Sequence, residues 1–588
     1  MNQIISLWGH LRKARKCQLW LVLGLMILTS FLEVLGVGLV VPFLSVLVAP
    51  EYIYEHRLVE PFNEILGITA ANQLILPLTG CFISAIIFSG SARIILNVVT
   101  NRISYGIGAD LSIDIFRRTL HQDYSVHLSR NSSEVVNGMI NKTDIVTGGV
   151  ISPILRLISS LFLLVGILSV LIVINPWVAG CIFMGFSFLY ICIFLGTRKH
   201  LKHNSQIIAD KSTHLLKVLQ EGLGGIRDVL IDARQDYFCI LYRDLDISVR
   251  KASADNAIIR ETPRYFLESI GVSLIAILAY FILVFSWVEP VQVIPVLGAF
   301  AMGAQRLLPA LQQGYAAIST IKSSSASLQD VLDLLKQTVN YDVMKRPFEI
   351  IFEKEINFKH VYFRYGPNGP WVLEDMNFCI SKGERIGFIG ETGSGKSTTI
   401  DVLMGLLPSS KGVVEVDGQP IMRSSARSWQ KHIAHVPQNI FLVDGSVKEN
   451  IAFGVPTELI DNEKVREAAK KAHLFDLIDG WPSKFDTFVG EQGVRLSGGQ
   501  RQRIGIARAL YKQADVLVFD EGTSALDNET ESSVMEAIYG LSSELTVLLV
   551  AHRLTTLKHC DRIIELGDSV LRVRSYDEIT KKKMELKC

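Results

Sequence analysis

The sequence has few cysteines and no excess of charge of either sign. Its eight cysteines among 588 residues form no C-x-x-C pair and no cluster with histidine, so no cysteine-based metal site is indicated, and we interpret them as free thiols. The 59 basic and 58 acidic residues leave a net charge of +1. Bulk charge therefore gives no reason to expect nucleic acid as a partner. We also find no internal repeat and no low-complexity stretch.

No cleavable signal peptide is evident, although the chain begins with basic residues and then an apolar run. The run from Gln18 to about Val48 is roughly thirty residues, long enough to span a bilayer and too long for the apolar region of a signal peptide. Hydrophobic residues make up 49% of the chain, which is high for a soluble protein. We predict a first transmembrane helix with its N-terminus in the cytoplasm.

Six apolar segments fit membrane spans. To within a few residues they are Gln18–Val48, Gln73–Val99, Ser152–Ile174, Trp177–Gly196, Phe266–Trp287 and Val291–Ile318. The loops after the second and fourth segments are long and basic, whereas the other loops are short or poorly basic. By the positive-inside rule both long loops face the cytoplasm. An even number of spans then returns the chain to the cytoplasm.

The chain divides into an α-helical six-span transmembrane domain and a soluble α/β domain. We predict the membrane domain over residues 1–321, a linker rich in serine and polar residues over 322–347, and the soluble domain over 348–588. The two long loops are rich in helix formers. We interpret them as cytoplasmic extensions of the membrane helices that reach the soluble domain.

The strongest motif is a G-x-x-x-x-G-K-[ST] loop, which follows a strand-like run, Arg385–Ile389. Its residues are Gly390, Glu391, Thr392, Gly393, Ser394, Gly395, Lys396, Ser397 and Thr398. Glycines let backbone N–H groups curl around phosphate oxygens, Lys396 supplies a charge to the β- and γ-phosphates, and Ser397 offers a hydroxyl to Mg²⁺. The loop predicts ATP and Mg²⁺ as cofactors.

A second strand-like run, from Asp515 to Asp520, ends in two adjacent carboxylates. Asp520 is suited to hold the Mg²⁺ shell, and Glu521 is placed to polarise the attacking water as general base. Two adjacent acids can also lie in a solvated turn, but their pairing with an upstream phosphate loop favours the catalytic interpretation. The two motifs together predict ATP hydrolysis.

The sequence Leu496-Ser497-Gly498-Gly499-Gln500 resembles the ABC ATPase family specifically, and not P-loop NTPases in general. A glycine-rich turn that opens a helix is a second anion site. In that family this element completes the nucleotide site of a partner subunit. Since this chain carries every family mark, the resemblance implies a homodimer with two equivalent sites.

The other family marks occur in order, and the resemblance covers essentially all of Phe348–Arg574. It implies a role for each of four further residues: Tyr365 stacks on adenine, Gln438 senses the γ-phosphate and contacts the metal, Asp527 belongs to the D-loop, and His552 is the switch histidine. With the membrane spans, these marks are typical of an ABC exporter that couples ATP hydrolysis to transport.

Charged residues within or beside the spans are the best pointers to the substrate, because each costs free energy in lipid. The candidates are Glu33, Arg93, Arg156, Arg264, Glu268 and Arg306. A structural explanation competes for each of them. Arginines near span ends snorkel to the interface, and a glutamate can pair with an arginine.

Three short stretches, 31–43, 263–271 and 306–309, resemble the membrane domain of PglK-type flippases, which move lipid-linked oligosaccharides across the bacterial inner membrane. The resemblance implies an amphipathic anionic substrate. It makes Arg93, Arg264 and Arg306 candidates to hold a pyrophosphate, since guanidinium groups form bidentate and permanently charged contacts. It also implies membrane lipids as the surroundings and a cytoplasmic ATPase domain.

Two other functions remain open from the sequence. One is an exporter of peptides, lipids or hydrophobic small molecules on the same scaffold. The other, of a different class, is an ABC ATPase that acts without transport, and the six predicted spans argue against it.

Overall fold

The computed structural model describes residues 2–54, 68–174, 176–285, 293–338, 349–520, 528–540, 544–551, 554–567 and 570–579. These residues group into two units. A helical unit contains residues 2–122 and 130–338, and an α/β unit contains residues 123–129 and 349–579. The short segment 123–129 thus belongs with the α/β unit, although it lies within the first long basic loop.

The helices of the helical unit follow the apolar runs and extend well past them. In chain order they are α1 (Asn2–His10), α2 (Lys13–Gly38), α3 (Val40–Val48), α4 (Pro50–Tyr54), α5 (Ile75–Leu120), α7 (Ser132–Asn137), α8 (Thr143–Val146), α9 (Ser152–Ile174), α10 (Pro176–Gly224), α11 (Ile226–Ile231), α12 (Gln235–Phe285), α13 (Val293–Ser323) and α14 (Ser325–Leu335). Helix α6 (Tyr124–Ser129) belongs to the other unit.

Three of these helices are much longer than a bilayer is thick. Helices α5, α10 and α12 have 46, 49 and 51 residues. At 1.5 Å per residue each extends about 70 Å or more, against about 30 Å of hydrocarbon. Apolar side chains such as Leu21, Phe31 and Ile94 are 71%, 61% and 67% exposed on the outer faces. Such continuous apolar exposure suits a helix bundle embedded in lipid.

Within the described residues, three helical stretches are long and apolar enough to cross a membrane: Lys13–Val48, Ala71–Leu120 and Ser132–Ile174. They contain the first three predicted spans. The other three predicted spans fall on α10, α12 and α13, and residues 286–292, between the last two, lie outside the described part. A helical membrane domain is therefore confirmed, while its count of six spans stays a prediction.

Helix packing in this unit buries apolar seams between neighbours. Helix α9 packs on α13, α10 packs on α12, and α2 packs on α5. The segment predicted as a polar linker begins with a helix, α14, because Leu328, Val331, Leu332 and Leu335 recur at helical spacing and are all buried. They pack with Leu7 of α1 and with apolar residues of α5.

The α/β unit contains two sheets. In chain order the strands are β1 (Glu355–Phe363), β2 (Leu373–Ser381), β3 (Arg385–Gly390), β4 (Lys411–Val416), β5 (Gln419–Pro420), β6 (Ile433–Val436), β7 (Val516–Asp520), β8 (Thr546–Val550), β9 (Arg562–Gly567) and β10 (Val570–Arg574). The antiparallel sheet has the order β2-β1-β4-β5, and the larger sheet has the order β10-β9-β3-β8-β7-β6.

The central strands of the larger sheet are parallel and run as continuous apolar segments, because helices cover both faces. The five residues of β8 are all buried. The helices of this unit after α6 are α15 (Lys396–Leu403), α16 (Ala426–Lys431), α17 (Val447–Ile451), α18 (Asn462–Lys471), α19 (Phe475–Asp479), α20 (Gly498–Tyr511) and α21 (Asn528–Tyr539). Parallel pairing brings the carboxyl ends of β3, β8, β7 and β6 to one edge, where open α/β sheets bind ligands.

Candidate nucleotide site and membrane charges

The phosphate-binding loop joins the end of β3 to the start of α15. At Gly390 a Cβ atom would lie 2.2 Å from the carbonyl oxygen of Leu566, so only glycine fits there. Gly395 caps α15 with φ of 89°, in the left-handed region that favours glycine. The loop therefore turns tightly and presents backbone to a ligand at a helix N-terminus, as phosphate recognition requires.

Lys396 is the first residue of α15 and is only 7% exposed. Its Nζ donates hydrogen bonds to the carbonyl oxygens of Gly390, at 2.9 Å, and Glu391, at 2.8 Å. These bonds hold the ammonium inside the curl of the loop. The next residue, Ser397, is exposed, so its hydroxyl is accessible to a ligand.

The other residues of the phosphate-binding loop differ in their exposure to solvent. Glu391, Thr392 and Gly393 are exposed, and Ser394 is half-buried. Buried Thr398 lies 3.1 Å from the hydroxyl of Tyr365, measured from Oγ1. The structure thus brings the predicted adenine-stacking residue to the phosphate-loop helix. Tyr365 keeps 58% of its surface exposed, which leaves its ring available to a base.

Carboxylates gather beside this loop. Asp520 ends β7, and Asp401 lies on α15. Burial and the nearby charge of Asp520 raise the pKa of Asp401 to about 6. The sequence analysis did not single out Asp401, since a single aspartate five residues beyond Lys396 has no motif of its own. The carboxylate of Asp520 provides oxygen ligands of the kind that Mg²⁺ prefers.

Gln438 lies at the same sheet edge as Asp520. It follows β6 by two residues, and β6 pairs with β7 in parallel, with Val436 opposite Phe519. Gln438 is exposed. The sheet therefore places the predicted metal-contacting glutamine and aspartate after neighbouring strand ends.

The family-specific segment Leu496–Gln500 lies on a different part of the α/β unit from the phosphate-binding loop. Ser497 caps α20, its Oγ accepts a hydrogen bond from the Gln500 N–H at 3.2 Å, and its own N–H donates to Gln500 Oε1 at 2.9 Å. This capping box stabilises the helix start. Ser497 is exposed, and Gly498 and Gly499 are half-buried. Helix α20 packs against α17, α18 and β6, whereas the phosphate loop belongs to β3 and α15.

Three predicted site residues, Glu521, Asp527 and His552, lie outside the described residues. Their neighbours in sequence are described. Strand β7 ends one residue before Glu521, and β8 ends two residues before His552.

The segment 123–129 contacts the α/β unit close to this site. Asp123 forms an ion pair with Arg423 at 2.5 Å. Burial, Asp401 and Tyr365 raise the pKa of Tyr124. The influence of Asp401 and of the candidate adenine residue on Tyr124 was not foreseeable from the sequence, because Tyr124 lies more than 240 residues before both of them in the chain.

The charged residues of the helical unit differ in how they are compensated. Arg93 on α5 has its Nε 3.9 Å from Oε1 of Glu33 on α2, and Glu33 is buried. Arg264 donates to Glu268 one turn later on α12, at 2.7 Å. Arg306 on α13 is half-buried, and among the described residues no carboxylate lies within 4.0 Å of its guanidinium. Among the described residues, no direct contact joins Arg93, Arg264 and Arg306 to one another.

A nucleotide with Mg²⁺ fits the residues of the α/β unit. The loop at Gly390 has no space for a side chain, the Lys396 ammonium is buried at a helix N-terminus, and Asp520 ends strand β7, at the edge of the sheet where β3 also ends. Backbone N–H groups and the lysine suit phosphate oxygens, and the carboxylates suit a divalent cation.

Comparison with known proteins gives matches over both units. The ABC transporter transmembrane region profile matches residues 22–302, and the ABC transporter profile matches residues 373–524. An ATP-dependent lipid A-core flippase of Legionella pneumophila (strain Paris) is 30% identical over 466 residues, 77% of this chain and 76% of that protein. One from Saccharophagus degradans is 28% identical over 486 residues, 80% of this chain and 78% of that protein.

A solved structure, that of a bacterial Atm1-family ABC exporter with ATP bound, aligns with a TM-score of 0.76 at 21% sequence identity. The alignment covers 94% of this chain and 96% of that one. At this identity the likeness shows the fold, a helical membrane domain joined to an ABC ATPase domain.

Proposed function

Since this chain belongs to the ABC transporter family, as an exporter with its transmembrane region fused to an ATPase domain, we propose that it moves a lipid-linked oligosaccharide or a related glycolipid across the inner membrane. It is an integral membrane protein with a cytoplasmic ATPase domain, and it couples ATP hydrolysis to export. The class of substrate is the new part of the proposal.

The observation that carries the substrate class is the half-buried Arg306 on α13. Arg93 and Arg264 each contact a glutamate, which offsets part of their charge. Arg306 has no carboxylate within 4.0 Å among the described residues. An unpaired charge within a span is unfavourable by roughly 2.5–3.5 kcal/mol on insertion scales. We therefore expect Arg306 to have a function that offsets this cost. A phosphate of an amphipathic anionic lipid would supply the missing charge.

The relatives support a glycolipid over a peptide. The two flippases described above are named for lipid A-core, which is a glycolipid, and they align with more than three quarters of this chain. The proposal therefore assigns the sugar-bearing head to the interior of the membrane domain, with Arg306 as the anion-binding residue. In this proposal Arg93 and Arg264 position their helices and contact the head only secondarily.

The chain's own residues have defined roles at the nucleotide in this proposal. Backbone N–H groups of the loop from Gly390 to Gly395, together with Lys396, bind the phosphates, and Tyr365 stacks on the base. Ser397, Asp520 and Gln438 hold Mg²⁺, which would offset the charge of the phosphates. Glu521 orients water and accepts its proton, and His552 contacts the terminal phosphate.

A second copy of the chain completes each site. The exposed cap at Ser497 and the glycines after it form an anion site at the N-terminus of a 14-residue helix. We assign this cap, with Asp527, to the nucleotide bound by the partner copy. The protein would then act as a homodimer with two equivalent sites.

The test is transport by the purified protein in proteoliposomes, with ATP hydrolysis measured in parallel. The substrates compared are a lipid-linked oligosaccharide, a lipid A-core glycolipid, a hydrophobic peptide and a hydrophobic small molecule. We expect ATP-dependent movement of a glycolipid. The Arg306→Ala variant should hydrolyse ATP at a near-normal rate but move the glycolipid at least about tenfold more slowly, as loss of one charged contact implies.

Arg306→Lys is the matched variant, because it keeps the charge and loses the bidentate geometry. It should retain an intermediate rate. Peptide export without glycolipid movement, or normal glycolipid movement by Arg306→Ala, would contradict the proposal and favour the other exporter classes.

A further inference from the structure

An apolar cleft of about 220 Å³ opens between α1 and the helices α2, α5 and α9 of the membrane unit. Aliphatic and aromatic side chains line it, among them Leu7, Trp8, Leu19, Leu23, Met26 and Ile154. The lining residues of α2 recur every three or four positions from Leu19 to Met26. They form one face that descends about 10 Å along the helix axis. A long and narrow apolar cleft of this kind fits an alkyl chain.

The cleft lies at the start of the first predicted span, because its α2 residues Leu19 to Met26 directly follow Gln18. Helix α1 buries Leu7 against the unit, and leaves Ile5 and Trp8 63% and 43% exposed. A helix with one packed face and exposed apolar residues at its outer side lies in the interfacial plane. Trp8 and Trp20 border the cleft, and tryptophan is enriched at the level of lipid headgroups.

Basic residues stand at the turn between α1 and α2, beside the mouth of the cleft. Asp110 compensates two of them: Arg15 Nε donates to its carboxylate at 2.7 Å, and Arg12 lies 3.3 Å from it. Arg15 is further held by Gln18, at 3.0 Å. One carboxylate against two guanidinium groups leaves this cluster positive before the neighbouring lysines are counted.

Two lysines at the same turn add to this positive charge. Lys13 is exposed, and no ion pair or hydrogen bond to its side chain occurs among the described residues. Lys16 lies over the ring of Trp8, 5.6 Å from its centroid, so its ammonium is held beside the cleft. Both ammonium groups are available to a phosphate.

We infer that this cleft binds one acyl chain of an anionic phospholipid of the cytoplasmic leaflet, whose headgroup phosphate contacts Lys13 and Lys16. Apolar lining and positive charge adjoin at one interfacial depth, and an anionic phospholipid has the same arrangement of chain and charge. A zwitterionic lipid fills the cleft equally well but gains less from the lysines. The inference does not depend on the proposed transport substrate.

The test is lipid binding by the full chain in detergent micelles, followed by native mass spectrometry. Phosphatidylglycerol and phosphatidylcholine with the same acyl chains are titrated separately. We expect tighter binding of phosphatidylglycerol. The double variant Lys13→Gln with Lys16→Gln should bind it roughly twenty-five-fold more weakly, since each basic residue near an anionic lipid contributes about fivefold. Binding of phosphatidylcholine should change little.

Matched variants separate the site from general effects. Lys199→Gln with Lys202→Gln removes the same charge from exposed positions of α10 and should leave phosphatidylglycerol binding unchanged. Leu23→Trp fills the cleft and should abolish tight binding, whereas Leu21→Trp adds the same bulk at an exposed position outside it. Thermal unfolding of each variant checks that it is folded.

Three results would overturn the inference. These are equal affinity for the two phospholipids in the unchanged protein, an equal loss of binding in the α10 control, and no effect of Leu23→Trp. A fourth result, displacement of phosphatidylglycerol by an equimolar amount of a lipid A-core glycolipid, would overturn it as well, because the cleft would then prefer the glycolipid to the phospholipid.

Discussion

The proposed nucleotide site and the proposed anion site of the membrane unit are assembled in different ways. In the ATPase unit one continuous segment, Gly390–Thr398, supplies the backbone N–H groups, the lysine and the hydroxyl. In the membrane unit Glu33, Arg93 and Arg306 lie on three separate helices, and the proposed anion contact is made by the Arg306 side chain alone. Recognition by backbone needs a local conformation, which a short motif can specify. Recognition by side chains needs helices to be brought together, which no short motif specifies.

The largest effect that we expect is a loss of ATP hydrolysis on substitution in the ATPase unit. Glu521→Gln removes the proposed general base and should lower ATP hydrolysis by roughly 10²–10⁴-fold. Nucleotide binding should persist, since the loop and Lys396 are unchanged. Steady-state hydrolysis and binding of a labelled nucleotide measure the two effects. Turnover at the unchanged rate would remove Glu521 from the proposed site.

A pH effect should also be confined to the ATPase unit. Burial lowers the pKa of His435, on β6, to about 4 from an ordinary value of 6.5. His435 therefore binds a proton below about pH 6.5 in the unfolded chain, but only below about pH 4 in the folded chain. The free energy of unfolding should therefore fall by on the order of 3 kcal/mol as the pH drops from 6.5 to 4.

His435→Leu is the control for this effect, because it removes the titrating group and keeps an apolar side chain in the core. Thermal unfolding is followed through tryptophan fluorescence, to which fully buried Trp429 of the ATPase unit contributes, and the difference between the two proteins isolates the effect of His435. The wild type should lose stability relative to His435→Leu between pH 6.5 and 4. Parallel curves for the two proteins would contradict the assignment.

The proposed sharing of each nucleotide site between two copies of the chain can be tested by mixing two inactive variants. Lys396→Ala and Ser497→Arg should each inactivate both sites of a homodimer. An equal mixture should recover roughly a quarter of the wild-type rate, since random pairing makes half of the dimers mixed and each keeps one intact site. Hydrolysis is measured after co-expression and, as control, after mixing separately assembled dimers. No recovery after co-expression would contradict sites shared between copies, provided that one site turns over alone.

The smallest effect is expected in the membrane unit, at Arg264. Its ion pair with Glu268 is exposed and joins positions four residues apart on one helix, a kind of pair that contributes little to stability. Arg264→Ala should therefore change the melting temperature and glycolipid movement far less than Arg306→Ala. A loss of movement as large as that of Arg306→Ala would show that Arg264 also holds the substrate.

Some elements of the fold were predicted closely from the sequence. The strand-like run before the phosphate loop is β3, and the third predicted span coincides with α9, from Ser152 to Ile174. Other features were missed. Helix α1 was not predicted, since nine residues are too few to show a clear period. The electrostatic influence of Asp520 on Asp401 was missed, because the two residues lie far apart in the chain and only the fold brings them near each other.

The sequence by itself determined the family, the nucleotide chemistry and the membrane character. Each depends on contiguous residues: a glycine-rich loop specifies its own turn, and a long apolar run specifies a helix that must be buried in lipid. Only the tertiary structure decided that Arg93 meets Glu33, that Arg306 meets no described carboxylate, and that a cleft forms beneath α1. These relations join residues far apart in the chain, and the packing of helices, not local conformational preference, brings them together.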